Sequence, residues 1–316
     1  MNQRKIFLKI LLGLFLTALA GWWVLKSISP GEIAELFRQA SLSWLLLGFG
    51  FYLIAFAARV GRFSVLFPYE ELSGGKLAVI TGMHNLAVRL LPNPSGEAVF
   101  FYFAGRHGAH TGSILAVLLA YRLLDFSAVA LYLSAAAFVL LGYNWLGKQV
   151  VFLAAAILFA CLPFIIARFP VYRRIEKVEM TGGWVRRKAA DLFEAMGVLF
   201  AKKGRYRKAI LFSLLVWICM SAAYYMFFRA FGLESNFFAV LFAGMVQVFV
   251  NVLPSIAGVG VMEAGWVLGF GILGLPKEEI LAGAIGVDAM TLLGTFVIGA
   301  VSFLWIIITR ERKAIS

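Results

Sequence analysis

Apolar positions dominate this chain in long runs, and polar residues cluster between them. Six runs are long and apolar enough to cross a bilayer: Ile6 to Leu25, Ser41 to Ala58, Ser113 to Leu141, Lys148 to Arg168, Ala209 to Phe228 and Ala284 to Ile308. At helical rise, about 20 residues cover the roughly 30 Å hydrocarbon core. Two other apolar regions, 75–104 and 236–274, are broken in the middle, the first by Pro92, Asn93 and Pro94 and the second from Pro254 to Gly260. Proline removes a backbone donor and clashes with the preceding turn, so neither region can be one continuous helix. The second arm of each would reach only about 16 to 21 Å, which predicts re-entrant helical hairpins. The expected fold is an all-α polytopic membrane protein: one transmembrane domain over 1–316, with six full spans and two hairpins.

The two breaks carry the same punctuation. NLAVRLLPNPSGE runs from Asn85 to Glu97, and NVLPSIAGVGVME from Asn251 to Glu263. Each begins with Asn, breaks at Leu-Pro, passes through Gly and reaches a Glu at the same offset. The first break is marked by Asn85, Pro92, Pro94 and Gly96, the second by Asn251, Pro254, Gly258 and Gly260. Helices interrupted at corresponding places in two halves of a membrane protein point to a binding site near the bilayer centre.

Composition agrees: 62% of the 316 residues are hydrophobic and 14% charged, against roughly a quarter charged in soluble domains. The net charge of +13 raises nucleic acid as a partner. Its distribution argues against that, because the basic residues lie mostly in short loops beside apolar runs, as the positive-inside rule requires. With both termini cytoplasmic, Arg59, Arg62, Arg106, the basic 169–208 loop and the C-terminal Arg310, Arg312 and Lys313 share the inner side. On that ladder the first hairpin enters from inside and the second from outside, an inverted pair. The N-terminal run resembles a secretory signal, but its length and the spans after it predict an uncleaved first helix. The 169–208 loop reads either as an amphipathic helix on the inner leaflet or as a solvated connector. Cys161 and Cys219 fall in apolar runs and read as buried hydrophobes.

The pattern from roughly Arg59 to Leu304 resembles a flippase-like family. That family includes the transmembrane region of lysylphosphatidylglycerol synthases, hopanoid-associated membrane proteins and archaeal glycosylation proteins. The residues that carry the resemblance are Arg59 with Arg62, Asn85 with Leu91-Pro92 and Gly96-Glu97, Arg122 with Asp125, and Asn251 to Pro254 leading to Gly258, Gly260 and Glu263-Ala264-Gly265. The chain departs from the family where Asn93-Pro94 replaces a glycine or basic residue, and where Asp288 stands near a usual Arg. The resemblance implies a multi-pass protein of the cytoplasmic membrane that moves lipid. The 316 residues hold no aminoacyltransferase domain, so lysyl-lipid synthesis is not expected and the chain reads as a non-enzyme.

Six ionisable residues are candidates for substrate binding: Arg89, Glu97, Arg122, Asp125, Glu263 and Asp288. Arg122 and Asp125, three apart on one helix face, can form a structural pair; alternatively Arg122 offers its planar fork to a lipid phosphate while Asp125 orients it. Arg89 is a second phosphate candidate or snorkels to the interface. Glu97 and Glu263 either cap the second hairpin arms or, with Asp288, balance headgroup charge or carry a coupling proton. His84, His107 and His110 form no recognised metal motif, and no nucleotide-binding loop or nucleophile elbow occurs, so neither metal nor cofactor is expected. The reading favoured is a lipid translocase whose partner is a membrane lipid. The alternatives are an intramembrane enzyme of lipid-linked intermediates using His84, Glu97 and Arg122, and a noncatalytic partner of a lipid or glycan synthase. A homodimer is left open.

Overall fold

The computed structural model describes residues 30–67, 72–91, 95–142, 203–251 and 260–315, with scattered positions between 150 and 158. Among these residues all regular structure is helical: α1 (Pro30–Gln39), α2 (Leu42–Leu66), α3 (Gly74–Leu90), α4 (Ser95–Arg106), α5 (Thr111–Leu141), α6 (Lys203–Ala230), α7 (Phe237–Val250), α8 (Val261–Ile272) and α9 (Lys277–Ile315). The expected span 6–25, nearly all of 148–168, most of the basic loop, and the hairpin tips with Pro92, Pro94, Pro254 and Gly258 lie outside the described residues.

Among the described residues four helices are long and apolar enough to span a membrane: Leu42–Leu66, Thr111–Leu141, Gly204–Ala230 and Ile280–Ile308. They match four of the six expected spans, with longer boundaries than expected; the span expected over Ala284 to Ile308 lies in a helix that runs from Lys277 to Ile315. The helix expected to stop at Ala58 continues to Leu66, carrying Arg59 and Arg62 into the bundle. The helix expected to start at Ala209 starts at Lys203. Arginine and lysine are good helix formers, so charge alone ends neither helix. The short helix α1, where the sequence assigned no element, rests Phe37 edge-on against Phe231 at 5.2 Å and pairs Arg38 with Glu35 on its exposed side.

The α2 and α6 helices run antiparallel at close quarters. Gly48 meets the ring of Phe227 and Gly61 that of Phe212, small residues that let the backbones approach. The N–H of Ser41 donates to the carbonyl of Ala230 at 3.0 Å. At the other end Arg205 donates to the carbonyl of Phe67.

Both broken regions fold as antiparallel helix pairs, α3 with α4 and α7 with α8. A Cβ on Gly265 would stand 2.9 Å from Cα of Gln247, and one on Gly269 2.6 Å from Cα of Ala243. The reversed numbering defines the antiparallel register, and the clearance explains why glycine occupies both positions. Gly96 meets the backbone of Val88 in the same way.

The buried core is divided between the two ends of the bundle. Phe67, Leu72, Leu77, Phe100, Ala104 and Tyr206 pack together where α2 ends and α6 begins. Tyr52, Phe227, Phe228, Leu233, Trp266 and Phe270 pack at the opposite end. The α3/α4 hairpin therefore enters the bundle from one end and the α7/α8 hairpin from the other. Between them runs α5, the most buried of the four long helices.

Candidate functional site

Between the two helix pairs a cavity of about 610 Å³ opens. Asn85, Val88 and Glu97 come to its wall from the first hairpin, and Gln247, Val248, Asn251 and Met262 from the second. The long helices contribute Arg59, Arg62, Tyr121, Arg122, Asp125, Trp217 and others. The paired asparagines of the two sequence breaks thus face one cavity.

Each charged group on this wall has a particular partner. Asp125, at mid-length on α5, accepts from both terminal nitrogens of Arg62, the longer contact being 3.4 Å, and from Trp217 Nε1 at 2.8 Å. Arg62 is 1% exposed and also donates to Ser213 Oγ at 3.1 Å. Arg122 turns the other way and pairs with Glu97 at the start of α4, where Tyr121 Oη also donates at 3.0 Å. Its guanidinium lies 5.1 Å from the Tyr121 ring centre. The expected pairing of Arg122 with Asp125 is therefore corrected. Three-residue spacing brings two side chains onto one face, but Arg62 from α2 and Glu97 from α4 lie closer to them than they do to each other.

Arg59 differs from the other arginines. It donates to Asn85 Oδ1 at 3.0 Å, and among the described residues no carboxylate lies within ion-pair reach. Two buried side chains on the wall also lack partners: neither ring nitrogen of His84 is hydrogen-bonded, nor is Nε2 of Gln247. His84 is boxed by the rings of Phe63, Phe100 and Tyr121, at 5.3 to 6.2 Å between centroids.

Arg89, Asp288 and Glu263 form a second polar cluster and do not line this cavity. Arg89 pairs with Asp288 on α9 and touches the sulfur of Met262, tying the first hairpin to α9 and to the second hairpin. With 11% of its side chain exposed, Arg89 does not snorkel. Glu263 accepts from the N–H of Gly260 at 2.6 Å and so caps its own helix. Gly260 takes a φ of 76°, a conformation glycine adopts at little cost. The two matched glutamates thus have different surroundings.

Of the six expected residues, the structure brings Glu97, Arg122 and Asp125 to the cavity and holds Arg89, Glu263 and Asp288 beside it. Sequence reasoning counted Arg59 and Arg62 as inner-side charges and missed their place in the wall. The signal was present, since both sit at helical spacing with no proline between Leu42 and Leu66. Gln247 and Trp217 had no signal beyond a polar atom in an apolar run. Among the described residues no group of three metal-ligating side chains occurs.

No curated protein matches the sequence. The family model described as the lysylphosphatidylglycerol synthase TM region matches residues 10–299, and the chain belongs to that family of multi-pass membrane domains.

Proposed function

We propose that the protein is a lipid translocase of the cytoplasmic membrane. The headgroup occupies the polar cavity between the two hairpins while the acyl tails remain in the bilayer. The observation that carries this reading is the convergence of two short-armed hairpins, entering from opposite ends, on one cavity walled by ionisable residues. Inverted discontinuous elements meeting around a central site are the architecture of alternating-access carriers. The 12-residue arms α4 and α8 would extend only about 18 Å, so the hairpins act as re-entrant elements rather than crossings. Cytoplasmic termini are part of this reading, supported by the basic residues at the α2/α6 junction and at the C-terminus through the positive-inside rule.

The test is leaflet-resolved movement of labelled lipid in sealed proteoliposomes. Movement dependent on the purified protein, and absent after Arg122→Gln, is expected. One observation favours the enzyme reading: His84, Glu97 and Arg122 share the cavity wall, and the His84 ring nitrogens are free. Chemical turnover of lipid by the protein in detergent, where no leaflets exist, would establish that reading in place of transport.

A further inference from the structure

The cavity also specifies its headgroup. Its wall holds three arginines, Arg59, Arg62 and Arg122, and two carboxylates, Glu97 and Asp125. Arg62 is neutralised by Asp125 and Arg122 by Glu97, which among the described residues leaves Arg59 as the unbalanced charge. In a site of restricted hydration an unbalanced guanidinium is costly, and an anion relieves it.

The unsatisfied hydrogen-bonding groups narrow the choice. Gln247 Nε2 is a donor without an acceptor, on a residue 2% exposed. His84, 4% exposed, has two unused ring nitrogens, one a donor and one an acceptor in the neutral ring. Glu97 Oε2 is a buried acceptor without a donor. A ligand that satisfies these groups supplies one negative charge, several acceptor oxygens and at least one donor. A phosphodiester supplies the charge and the acceptors. The donor is either a hydroxyl or an ammonium; an ammonium would cancel the phosphate and leave Arg59 unbalanced, whereas a hydroxyl would not.

Building on the translocase reading, we propose that this cavity selects an anionic phosphodiester headgroup bearing hydroxyls, a phosphopolyol, and rejects headgroups carrying an amine. The phosphate sits against Arg59, Gln247 donates to its oxygens, and headgroup hydroxyls donate to Glu97 and exchange hydrogen bonds with His84. An aminoacylated phosphatidylglycerol, with its added ammonium groups, is rejected by the same charge balance.

The experiment uses proteoliposomes of phosphatidylcholine with trace acyl-labelled phosphatidylglycerol, phosphatidylethanol, phosphatidylethanolamine or lysyl-phosphatidylglycerol. Phosphatidylglycerol should move at least about tenfold faster than either amine lipid, since like charge opposed across a binding site is strongly discriminating. Phosphatidylethanol, of equal charge without headgroup hydroxyls, should move more slowly than phosphatidylglycerol; equal rates would remove the hydroxyl part of the assignment. Arg59→Gln should erase the preference for anionic lipid. Arg59→Lys, which keeps the charge, should preserve the order and guards against a folding defect in the first variant. Free glycerol phosphate at micromolar concentration should leave the rate unchanged; inhibition would assign the site to a soluble ion instead.

Equal movement of all lipids, or faster movement of the amine lipids, would overturn the selectivity and leave the translocase reading standing. If nothing moves, native mass spectrometry of the protein from mixed micelles of the same lipids decides. Selective retention of phosphatidylglycerol would then keep the headgroup assignment and sink transport, and unselective retention would sink both.

Discussion

Arg62 and Arg122 carry the same chemistry in opposite settings. Arg62 is 1% exposed and held by Asp125 and Ser213, whereas Arg122 is 42% exposed and reaches into the cavity. Removing one partner of a buried pair leaves an uncompensated charge, so Arg62→Leu should lower stability by about 3 to 5 kcal/mol. Most of that should return in Arg62→Leu with Asp125→Leu, measured by thermal unfolding in detergent. Arg122→Gln should cost about 1 kcal/mol or less, as half-exposed pairs do, yet stop lipid movement. A similar division separates the matched glutamates. Gln can replace Glu263 as an acceptor for the Gly260 N–H, so Glu263→Gln should cost at most about 1 kcal/mol and leave transport near wild type. Glu97→Gln strips the charge facing Arg122 and should abolish movement in a folded protein. Wild-type rates from both variants in the leaflet assay would remove these carboxylates from the mechanism. Nothing in the shared Asn-to-Glu offset could separate them, because the difference is made by what stands opposite: Arg122 and Tyr121 on one side, the helix's own backbone on the other.

At the scale of the element, the second hairpin depends on the clearance between α7 and α8. Gly269→Val must push Ala243 away and should destabilise by about 1 to 3 kcal/mol, the usual penalty of overpacking. Gly271, two residues on, has nothing within 4 Å of where its Cβ would stand, so Gly271→Ala should be neutral or stabilising by up to about 1 kcal/mol. Thermal melts of the two variants side by side test whether the α7/α8 packing or general helix propensity decides; equal shifts would discount the close approach. Both arms and the break between them were readable from the sequence, as proline and glycine act locally. The register was not, because Gly265 and Gly269 look like any other small residues of an apolar helix until Gln247 and Ala243 are placed beside them.

For the whole molecule, the opposed hairpins make a topological statement. Lys76 lies near the start of α3 and Glu234 just before α7, both exposed. Cysteines placed there should react with a membrane-impermeant reagent from opposite faces of oriented vesicles. Labelling of both from one face would rule out the inverted arrangement. The alternation of basic and apolar segments had already implied opposite sides, since three expected crossings, 113–141, 148–168 and 209–228, lie between the two hairpins in the sequence. The cavity required more, for its wall is assembled from helices far apart in the chain.

The sequence by itself determined the class, the positions of four long helices, the two breaks and their kinship, since hydropathy and the conformational limits of proline and glycine are local properties that no distant contact can reverse. Only the tertiary structure decided which charges meet. Arg122 finds Glu97 at 25 residues' separation, Arg62 finds Asp125 at 63 and Arg89 finds Asp288 at 199. A charge in an apolar run announces that it needs a partner but not which one, because that choice is made by the approach of backbones. For the same reason Arg59, which reads along the chain as one more inner-side cation, is identified only in three dimensions as the positive charge in the cavity that no carboxylate among the described residues balances.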